Sequence, residues 1–162
     1  KMLDYLCRKF KKKIHISLGM TNNKEIRRIY DFINKRNRLK DIIFYACTSD
    51  YPVKFDDVCL LEISNLKKKY NNKIYDIGFS GHHLGIGIDV SAYTLGANFI
   101  ERHFTLDRTW KGTDHAASLE QDGLTKLVRN INATFRALKF KGPNVLKTEI
   151  ATRKKLKNII DF

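Results

Sequence analysis

A strand followed by a helix occurs four times in succession along the 162 residues, and this repeat limits the possible folds more than any other feature. Apolar runs typical of buried strands begin near Ile14, Asp41, Ile74 and Asn98, and apolar residues at helical spacing follow them. Such alternation requires parallel strands joined by right-handed crossovers. The sequence therefore predicts an α/β fold, either half of a (β/α)8 TIM barrel or a doubly wound open sheet. Neither GxGxxG nor a Walker A run occurs, so nothing favours a nucleotide-binding open sheet.

The spacing of apolar and turn-forming residues predicts the bounds of the individual elements. Strands are expected at residues 14–19, 42–47, 74–79 and 99–104, and helices at residues 1–10, from about 22, from about 56, at 86–96 and at 122–139. The third helix is expected to bury Leu60, Leu61, Ile63 and Leu66. The last is expected to turn inward Leu124, Leu127, Val128, Ile131, Phe135 and Leu138. Residues 1–140 would then form the domain, and residues 141–162 a linker with a basic tail.

A net charge of +14 raises the question of a nucleic-acid partner. Basic residues cluster at 8–13, 67–69 and 153–157, and the first two clusters fall at predicted helix ends, where cations complement the helix dipole. Aromatic residues are not interleaved with them, as a single-strand binding platform requires. We therefore interpret the charge as a solvated surface that also attracts phosphorylated anions, and we do not expect a nucleic-acid partner.

Two further features bear on where such a chain works. No stretch approaches the ~20 apolar residues that a membrane span needs, so no membrane partner is expected. The three cysteines, Cys7, Cys47 and Cys59, make an odd count without a CxxC pair. This pattern indicates reduced thiols and a cytoplasmic setting.

Polar residues collect where the predicted strands end. Because the carboxyl ends of parallel strands meet at one rim, these residues are expected to lie together. Hydroxyls and backbone N–H groups at strand-to-helix turns suit a phosphate, and two imidazoles on adjacent strands suit a divalent metal with open positions. The candidates are Ser17, Ser49 and Ser80, the histidines His82, His83 and His103, and Tyr51. The loop over residues 107–118 could cover the rim and supply a carboxylate, Asp114.

Taken singly, these residues have simpler interpretations. A serine at a strand end is commonly a turn residue, and a lone histidine there commonly forms a hydrogen bond at the rim. Trp110, in the loop over residues 107–118, could simply cover apolar surface. Glu101 and Arg102 are expected to form a salt bridge at the rim.

Several blocks of sequence resemble the sialic acid synthase family. One block, residues 78–86, reads GFSGHHLGI, and another, residues 95–107, reads LGANFIERHFTLD. The continuation RTWKGTDHAASLE, at residues 108–120, fits the same family, as do ISLGM at 16–20 and CTSDYP at 47–52. The resemblance covers essentially residues 1–140 and corresponds to strands five to eight of the family's barrel.

This resemblance implies a cytoplasmic transferase of carbohydrate biosynthesis that joins phosphoenolpyruvate to N-acetylmannosamine, its 6-phosphate or a related amino sugar. The product would be a nine-carbon 2-keto acid, with phosphate released. His82 and His103 match the ligands of a divalent metal, Mn²⁺ or Mg²⁺. Ser17, Ser49 and Ser80 match residues around the phosphate of phosphoenolpyruvate, and Tyr51 and Asp114 match residues that face the sugar.

The resemblance also implies missing parts. The front four strands of the barrel, with the lysines that clamp phosphate, have no counterpart here, nor does the family's small antifreeze-like domain. A half barrel leaves the inward faces of its strands without their usual opposite layer, so we expect a homo-oligomer or a separate front-half chain as partner. Two other readings stay open: an inactive remnant or binding module, and a basic nucleic-acid-binding protein.

Overall fold

The computed structural model describes residues 1–157, which hold four strands and six α-helices. The strands are β1 (Ile14–Ser17), β2 (Ile42–Cys47), β3 (Asp76–Gly81) and β4 (Phe99–Arg102). The helices are α1 (Met2–Lys9), α2 (Asn23–Asn34), α3 (Leu61–Tyr70), α4 (Gly87–Thr94), α5 (Gln121–Ala137) and α6 (Ile150–Leu156). The predicted alternation of strand and helix is confirmed.

The four strands form one parallel sheet in the order β1-β2-β3-β4. In this order every crossover joins neighbouring strands and proceeds in the same direction. Right-handed crossovers of this kind put all their helices on one face of the sheet. That is the arrangement of half a barrel, whereas a doubly wound sheet reverses direction and has helices on both faces.

Side-chain alternation gives the sheet two different faces. Phe44, Ile77 and Phe79 point toward the helices and belong to the main hydrophobic core. Their helical partners in this core include Ile26 and Ile33 on α2 and Ile63 and Leu66 on α3. The opposite face, which is the interior of a complete barrel, carries more polar side chains, among them His15, Ser17, Tyr45, Ser80 and Glu101. The helix-facing core therefore holds the rim in place, while the other face is free for chemistry.

The bounds of α3 differ from the prediction. Residues 55–57 form a separate 3₁₀ turn, and α3 begins only at Leu61. Leu61 is 75% exposed, so the prediction that it faces the core is wrong, whereas Ile63 is fully buried. Residues two positions apart point to roughly opposite sides of an α-helix, so Leu61 and Ile63 cannot share its buried face.

The prediction for α5 was right in extent but wrong in burial. Of its expected inward residues only Leu127 is buried, while Leu124, Val128, Phe135 and Leu138 are exposed. Helical spacing identifies an apolar face, but it does not identify what packs against that face. Nothing among residues 1–157 covers most of this one.

The remaining predictions concern charge and the C-terminal segment. Basic residues do occupy the last turns of α1 and α3, as predicted. Residues 147–149 form a 3₁₀ turn that leads into α6, and part of the predicted tail, residues 158–162, lies outside the described residues. None of the helices within residues 1–157 has the length and apolar character needed to cross a bilayer.

Candidate active site

The two predicted metal-binding histidines lie side by side at the carboxyl rim. His82 directly follows β3 and is buried, and His103 directly follows β4 and is half-buried. Their ring centroids are 5.0 Å apart, with the rings nearly perpendicular. The parallel pairing of β3 with β4 is what brings together two residues 21 positions apart in the sequence.

The hydrogen bonding of His82 leaves one ring nitrogen free to act as a ligand. Its Nδ1 lies 2.8 Å from the carbonyl oxygen of Thr48. Because a carbonyl only accepts, Nδ1 carries the hydrogen, and in the neutral ring Nε2 then has an unshared electron pair. A backbone carbonyl that orients a histidine in this way is a common partner of metal-ligating histidines.

The donor set fits a divalent ion that keeps several coordination positions for other ligands. A metal lies about 2 Å from each ligating nitrogen, so two rings within roughly 6 Å of each other can share one ion. No group of three or more histidine, cysteine or carboxylate side chains suited to a metal occurs within residues 1–157. The site therefore does not resemble a closed structural zinc site, in which the protein supplies four ligands.

Tyr51 and Asp114 lie beside the two histidines. The ring of Tyr51, which follows β2 and precedes a cis peptide bond to Pro52, packs 4.3 Å from the ring of His82. The carboxylate of Asp114 is half-exposed, and its Oδ2 lies 3.8 Å from Nδ1 of His103. This distance is too long for a hydrogen bond, so Oδ2 remains available to a ligand, whereas Oδ1 accepts a 3.0 Å hydrogen bond from the Thr113 hydroxyl.

The loop that carries Asp114 is held by contacts at both ends. Phe104 pairs with Leu119 in a short parallel bridge, and Thr105 forms a 2.8 Å hydrogen bond with Nδ1 of His115. A cavity of about 370 Å³ opens between the loop and the rim. It is lined by His103, Phe104, Gly112, Thr113, Asp114, His115 and Ser118. Trp110 packs edge-on against His115.

The three serines lie on this rim in different surroundings. Ser17 ends β1 and is exposed, and Ser49 is half-buried in the loop after β2. Ser80 is buried within β3, and its hydroxyl donates a 2.8 Å hydrogen bond to Glu101. The Ser80 hydrogen is therefore already bound to a carboxylate, whereas Ser17 and Ser49 contact only the sulfur of Cys47 among the described side chains, through weaker hydrogen bonds that an anion could replace.

Cys47, which sequence reasoning missed, lies among these residues at the end of β2. Its Sγ is 3.8 Å from the Ser49 hydroxyl and 4.0 Å from Nδ1 of His82. Burial raises the pKa of the thiol, but hydrogen bonds from His82, Ser17 and Ser49 outweigh burial and lower this pKa to about 7. The strand alternation of residues 43, 45 and 47 could have identified Cys47 as a residue that points toward the barrel interior.

The same contact changes His82. Burial lowers the pKa of the imidazole, but the hydrogen bonds to Cys47 and to the Thr48 carbonyl, with the charges of Cys47 and Glu101, outweigh it. The pKa of His82 is therefore raised above its usual value. Thiol and imidazole thus stabilise each other's charged forms at the rim.

The expected salt bridge between Glu101 and Arg102 is absent. Adjacent residues of a strand point to opposite faces, so these two side chains cannot meet. Glu101 binds Ser80 on the inner face, whereas Arg102 pairs with the buried Asp89 of α4 on the helix side, at 2.5 Å. Sequence reasoning missed this pair because the two residues lie on separate elements.

Comparison with known proteins agrees with this geometry. The model of the NeuB family matches residues 1–142. The chain belongs to the NeuB family. N-acetylneuraminate-9-phosphate synthase of Homo sapiens is 42% identical over 141 residues, and N,N'-diacetyllegionaminic acid synthase of Campylobacter jejuni is 37% identical over 152 residues. The predicted relation to sialic acid synthases is confirmed.

A solved structure supports the barrel assignment. The N-acetylneuraminic acid (sialic acid) synthetase of Leptospira borgpetersenii, in complex with citrate, matches with a TM-score of 0.73 at 32% identity. The match covers 89% of this chain and 50% of that one. The sequence alignment with the human synthase covers 87% of this chain but only 38% of that protein. The alignment with the Campylobacter synthase covers 93% of this chain and 43% of that protein. This NeuB-family chain thus spans about two-fifths of its curated relatives.

Proposed function

We propose that this chain is the carboxyl half of a NeuB-type catalytic barrel that condenses phosphoenolpyruvate with an N-acyl amino sugar, such as N-acetylmannosamine or its 6-phosphate. The observation that most supports this proposal is that His82 and His103 lie together at the ends of neighbouring strands, with Tyr51 and Asp114 beside them. In the reaction a C–C bond forms between the methylene carbon of phosphoenolpyruvate and the sugar carbonyl carbon. Water adds at the former enol carbon, and phosphate leaves.

His82 and His103 would hold a divalent ion, either Mn²⁺ or Mg²⁺. Such an ion supplies Lewis-acid polarisation of a substrate carbonyl. The protein contributes the orientation of the ring, because the Thr48 carbonyl fixes the hydrogen of His82 on Nδ1. The raised pKa of His82 means that protons compete with the metal for this ring more strongly than they would for an unperturbed histidine.

Ser17 and Ser49 would receive the phosphate group. Both have hydroxyls near the ends of neighbouring strands, and the backbone N–H groups of these turns add further donors. Ser80 would contribute only if its hydrogen turned away from Glu101, to which it now donates. The Cys47 thiolate, with a pKa of about 7, lies beside Ser49 and would repel a phosphate that approached it closely.

Tyr51 and Asp114 would recognise the sugar. The tyrosine ring can pack against the carbon skeleton, and its hydroxyl and the Asp114 carboxylate can bind sugar hydroxyls. The cavity of about 370 Å³ beneath the 107–118 loop has a volume suited to a ligand of this size. The sequence of the loop keeps Asp114 within 3.8 Å of His103, so sugar and metal would lie next to each other.

Completion of the site would require the other half of the barrel. In the described residues, β1 and β4 each pair with a neighbour on one side only. Strand edges and inward faces of parallel sheets are normally covered. We propose that four further βα units, in the same polypeptide or in a partner chain, supply the remaining phosphate and sugar contacts.

Release of phosphate from phosphoenolpyruvate, in the presence of N-acetylmannosamine and Mn²⁺, tests the proposal. The chain is compared with a His82→Ala/His103→Ala double variant and with His15→Ala. His15 is a matched control, because it is a histidine of the inner face that binds the Tyr45 hydroxyl and lies away from the rim. We expect release that needs both the sugar and the rim histidines but not His15.

Two other results would revise the proposal. Histidine-dependent Mn²⁺ binding without phosphate release would mean that the metal end is functional and that turnover needs the other half of the barrel. Loss of both would leave a non-catalytic remnant of the family. Tight, salt-sensitive binding to any polyanion, with neither activity nor metal binding, would instead favour a nucleic-acid partner.

A further inference from the structure

Behind the two rim histidines, on the helix side of the sheet, lies a buried cluster of His83, Asp89 and Arg102. The side chains of His83 and Asp89 are completely buried, and that of Arg102 nearly so. Gly81 makes room for this cluster, because a Cβ atom there would lie 2.9 Å from the His83 ring and 3.0 Å from the Asp89 carboxylate. The residues of the site described above do not include any member of this cluster.

Arg102 connects three separate segments through its guanidinium. It donates to the Asp89 carboxylate of α4 at 2.5 Å and to the carbonyl oxygens of His83 and Gly85, each at 2.8 Å. It also donates to the carbonyl oxygen of Ala117, in the loop that carries Asp114, at 3.2 Å. One side chain therefore joins β4 to α4, to the turn after β3 and to the 107–118 loop.

Several buried polar atoms of this cluster lack hydrogen-bond partners within residues 1–157, which does not suit a cluster whose only role is to stabilise the fold. His83 Nδ1, Asp89 Oδ1 and Arg102 Nε are all buried without a hydrogen-bond partner among the described residues. Unsatisfied buried polar atoms are costly, and a buried ion pair is on balance weak evidence for stability. The cluster is therefore better explained by a requirement for a particular geometry than by a contribution to folding.

The geometry that this cluster can control is the relative position of the two rim histidines. Arg102 is the residue immediately before His103, and His83 is the residue immediately after His82. Strand alternation turns each histidine of the site toward the interior and its neighbour toward the cluster. Any shift of Arg102 relative to His83 would therefore change the separation of the two rim rings, now 5.0 Å.

We infer that Arg102 is a positioning residue that, through Asp89 and the His83 carbonyl, sets the spacing of His82 and His103 for a shared divalent ion. This inference depends on the metal role proposed above. Lysine would keep the charge but could not reach the same set of acceptors, because only the planar guanidinium offers five donors in a fixed fork.

Mn²⁺ affinity and thermal unfolding of the full chain test the inference. The variants are Arg102→Lys and the double variant Asp89→Leu/Arg102→Met, with Mn²⁺ binding followed by electron paramagnetic resonance well below each melting temperature. We expect both to bind Mn²⁺ about 10–100-fold more weakly, the usual effect of removing a residue that orients a metal ligand. The double variant distinguishes geometry from charge, since it leaves no unpaired ion.

Arg38→Met/Asp41→Asn is the matched control. Arg38 also pairs with an aspartate, at 2.7 Å, and also donates to backbone carbonyls, but it precedes β2, away from the rim. We expect this control to lose thermal stability and keep its Mn²⁺ affinity. If the folded Arg102 variants bind Mn²⁺ as tightly as the parent, the cluster is only structural and the inference is wrong.

A second measurement works without metal. Imidazole ¹⁵N resonances of His82 and His103 are expected to shift in the Arg102 variants and to stay in place in the Arg38 control. If the parent chain binds no Mn²⁺, the proposed function fails, but these resonances still decide the positioning role. Unchanged resonances for both histidines would overturn it.

Discussion

The aromatic ring of Tyr51 packs against both rim histidines, with its centroid 4.3 Å from that of His82 and 5.6 Å from that of His103. A residue expected to face the sugar therefore also supports the two rings expected to hold the metal. Its hydroxyl and its ring can be removed separately, which makes the two roles separable.

Tyr51→Phe and Tyr51→Ala are expected to differ in what they lose. Phenylalanine keeps the ring contacts, so Mn²⁺ affinity is expected to stay within about twofold of the parent, while loss of one neutral hydrogen bond weakens sugar binding roughly 3–10-fold. Alanine removes the packing as well and should weaken both. Mn²⁺ titration and N-acetylmannosamine titration of each variant check this. Equal Mn²⁺ affinities for all three proteins would contradict the packing role.

Much of the rim could be predicted from sequence because parallel strands deliver their carboxyl ends to one edge. This rule brings His82, His83 and His103 to one edge once the strands are placed, and the resemblance to the sialic acid synthase family singles out His82 and His103. Cys47 was missed although the same alternation predicts its direction, because a single cysteine carries no pattern of its own. The Asp89–Arg102 ion pair could not be predicted from the sequence, because it depends on how α4 packs on the sheet.

Burial was predicted less well than element type. The prediction put Leu61 and Ile63 on one face of α3, but residues two positions apart point to roughly opposite sides of an α-helix, and only Ile63 of this pair is buried. Phe135 does lie on the predicted apolar face of α5, but it is exposed because no element among the described residues packs against it. Helical spacing carries information about the helix and none about its neighbours.

Gly19 is expected to be needed for the position of Ser49. A Cβ atom at residue 19 would lie 2.2 Å from the Ser49 Oγ and 2.9 Å from the Cys47 Sγ, so Gly19→Ala must displace these side chains. We expect weaker binding of phosphoenolpyruvate with little loss of stability, because flexible side-chain ends can move. Gly87→Ala is the control, since a Cβ there meets no atom within 4 Å. Calorimetric titration with phosphoenolpyruvate measures the affinity of each variant. Equal affinities for Gly19→Ala and Gly87→Ala would argue against a phosphate role for Ser49.

The reactivity of Cys47 should depend on pH in a way that reports on His82. Because its pKa is about 7, Cys47 is expected to be alkylated by iodoacetamide with a midpoint near that pH. His82→Ala removes a hydrogen bond that lowers the pKa, so the midpoint should rise. Peptide mass spectrometry separates Cys47 from the exposed Cys59. The same midpoint in parent and variant would contradict the contact.

The lowered thiol pKa also has a consequence for stability. The ordinary value is 9.0, so the folded state favours the thiolate. The contribution of Cys47 to the free energy of unfolding is therefore complete above pH 9 and is lost as the pH falls through about 7. Urea unfolding of the parent and Cys47→Ser should diverge as the pH rises from 7 to 9, whereas Cys59→Ser should track the parent.

Ile63 and Leu61 provide a paired test of the α3 packing. Ile63 is fully buried, so Ile63→Ala is expected to lower the free energy of unfolding by about 2–5 kcal/mol. Leu61 lies on the same helix but is 75% exposed, and Leu61→Ala is expected to change it by less than about 0.5 kcal/mol. Urea denaturation measures both values. A large loss for Leu61→Ala would mean that a partner covers this side of the helix.

The exposed face of α5 and the open strand edges predict that the chain does not remain monomeric alone. Val128 is 52% and Phe135 66% exposed on α5, and large apolar patches of this kind usually mark an interface. We expect self-association or aggregation in sedimentation velocity, and less of it in Val128→Glu/Phe135→Lys. Leu156→Lys, a change from an apolar to a charged side chain at an exposed site on α6, is the control and should associate as the parent does. A monodisperse parent monomer that unfolds cooperatively would show that the half barrel is self-sufficient.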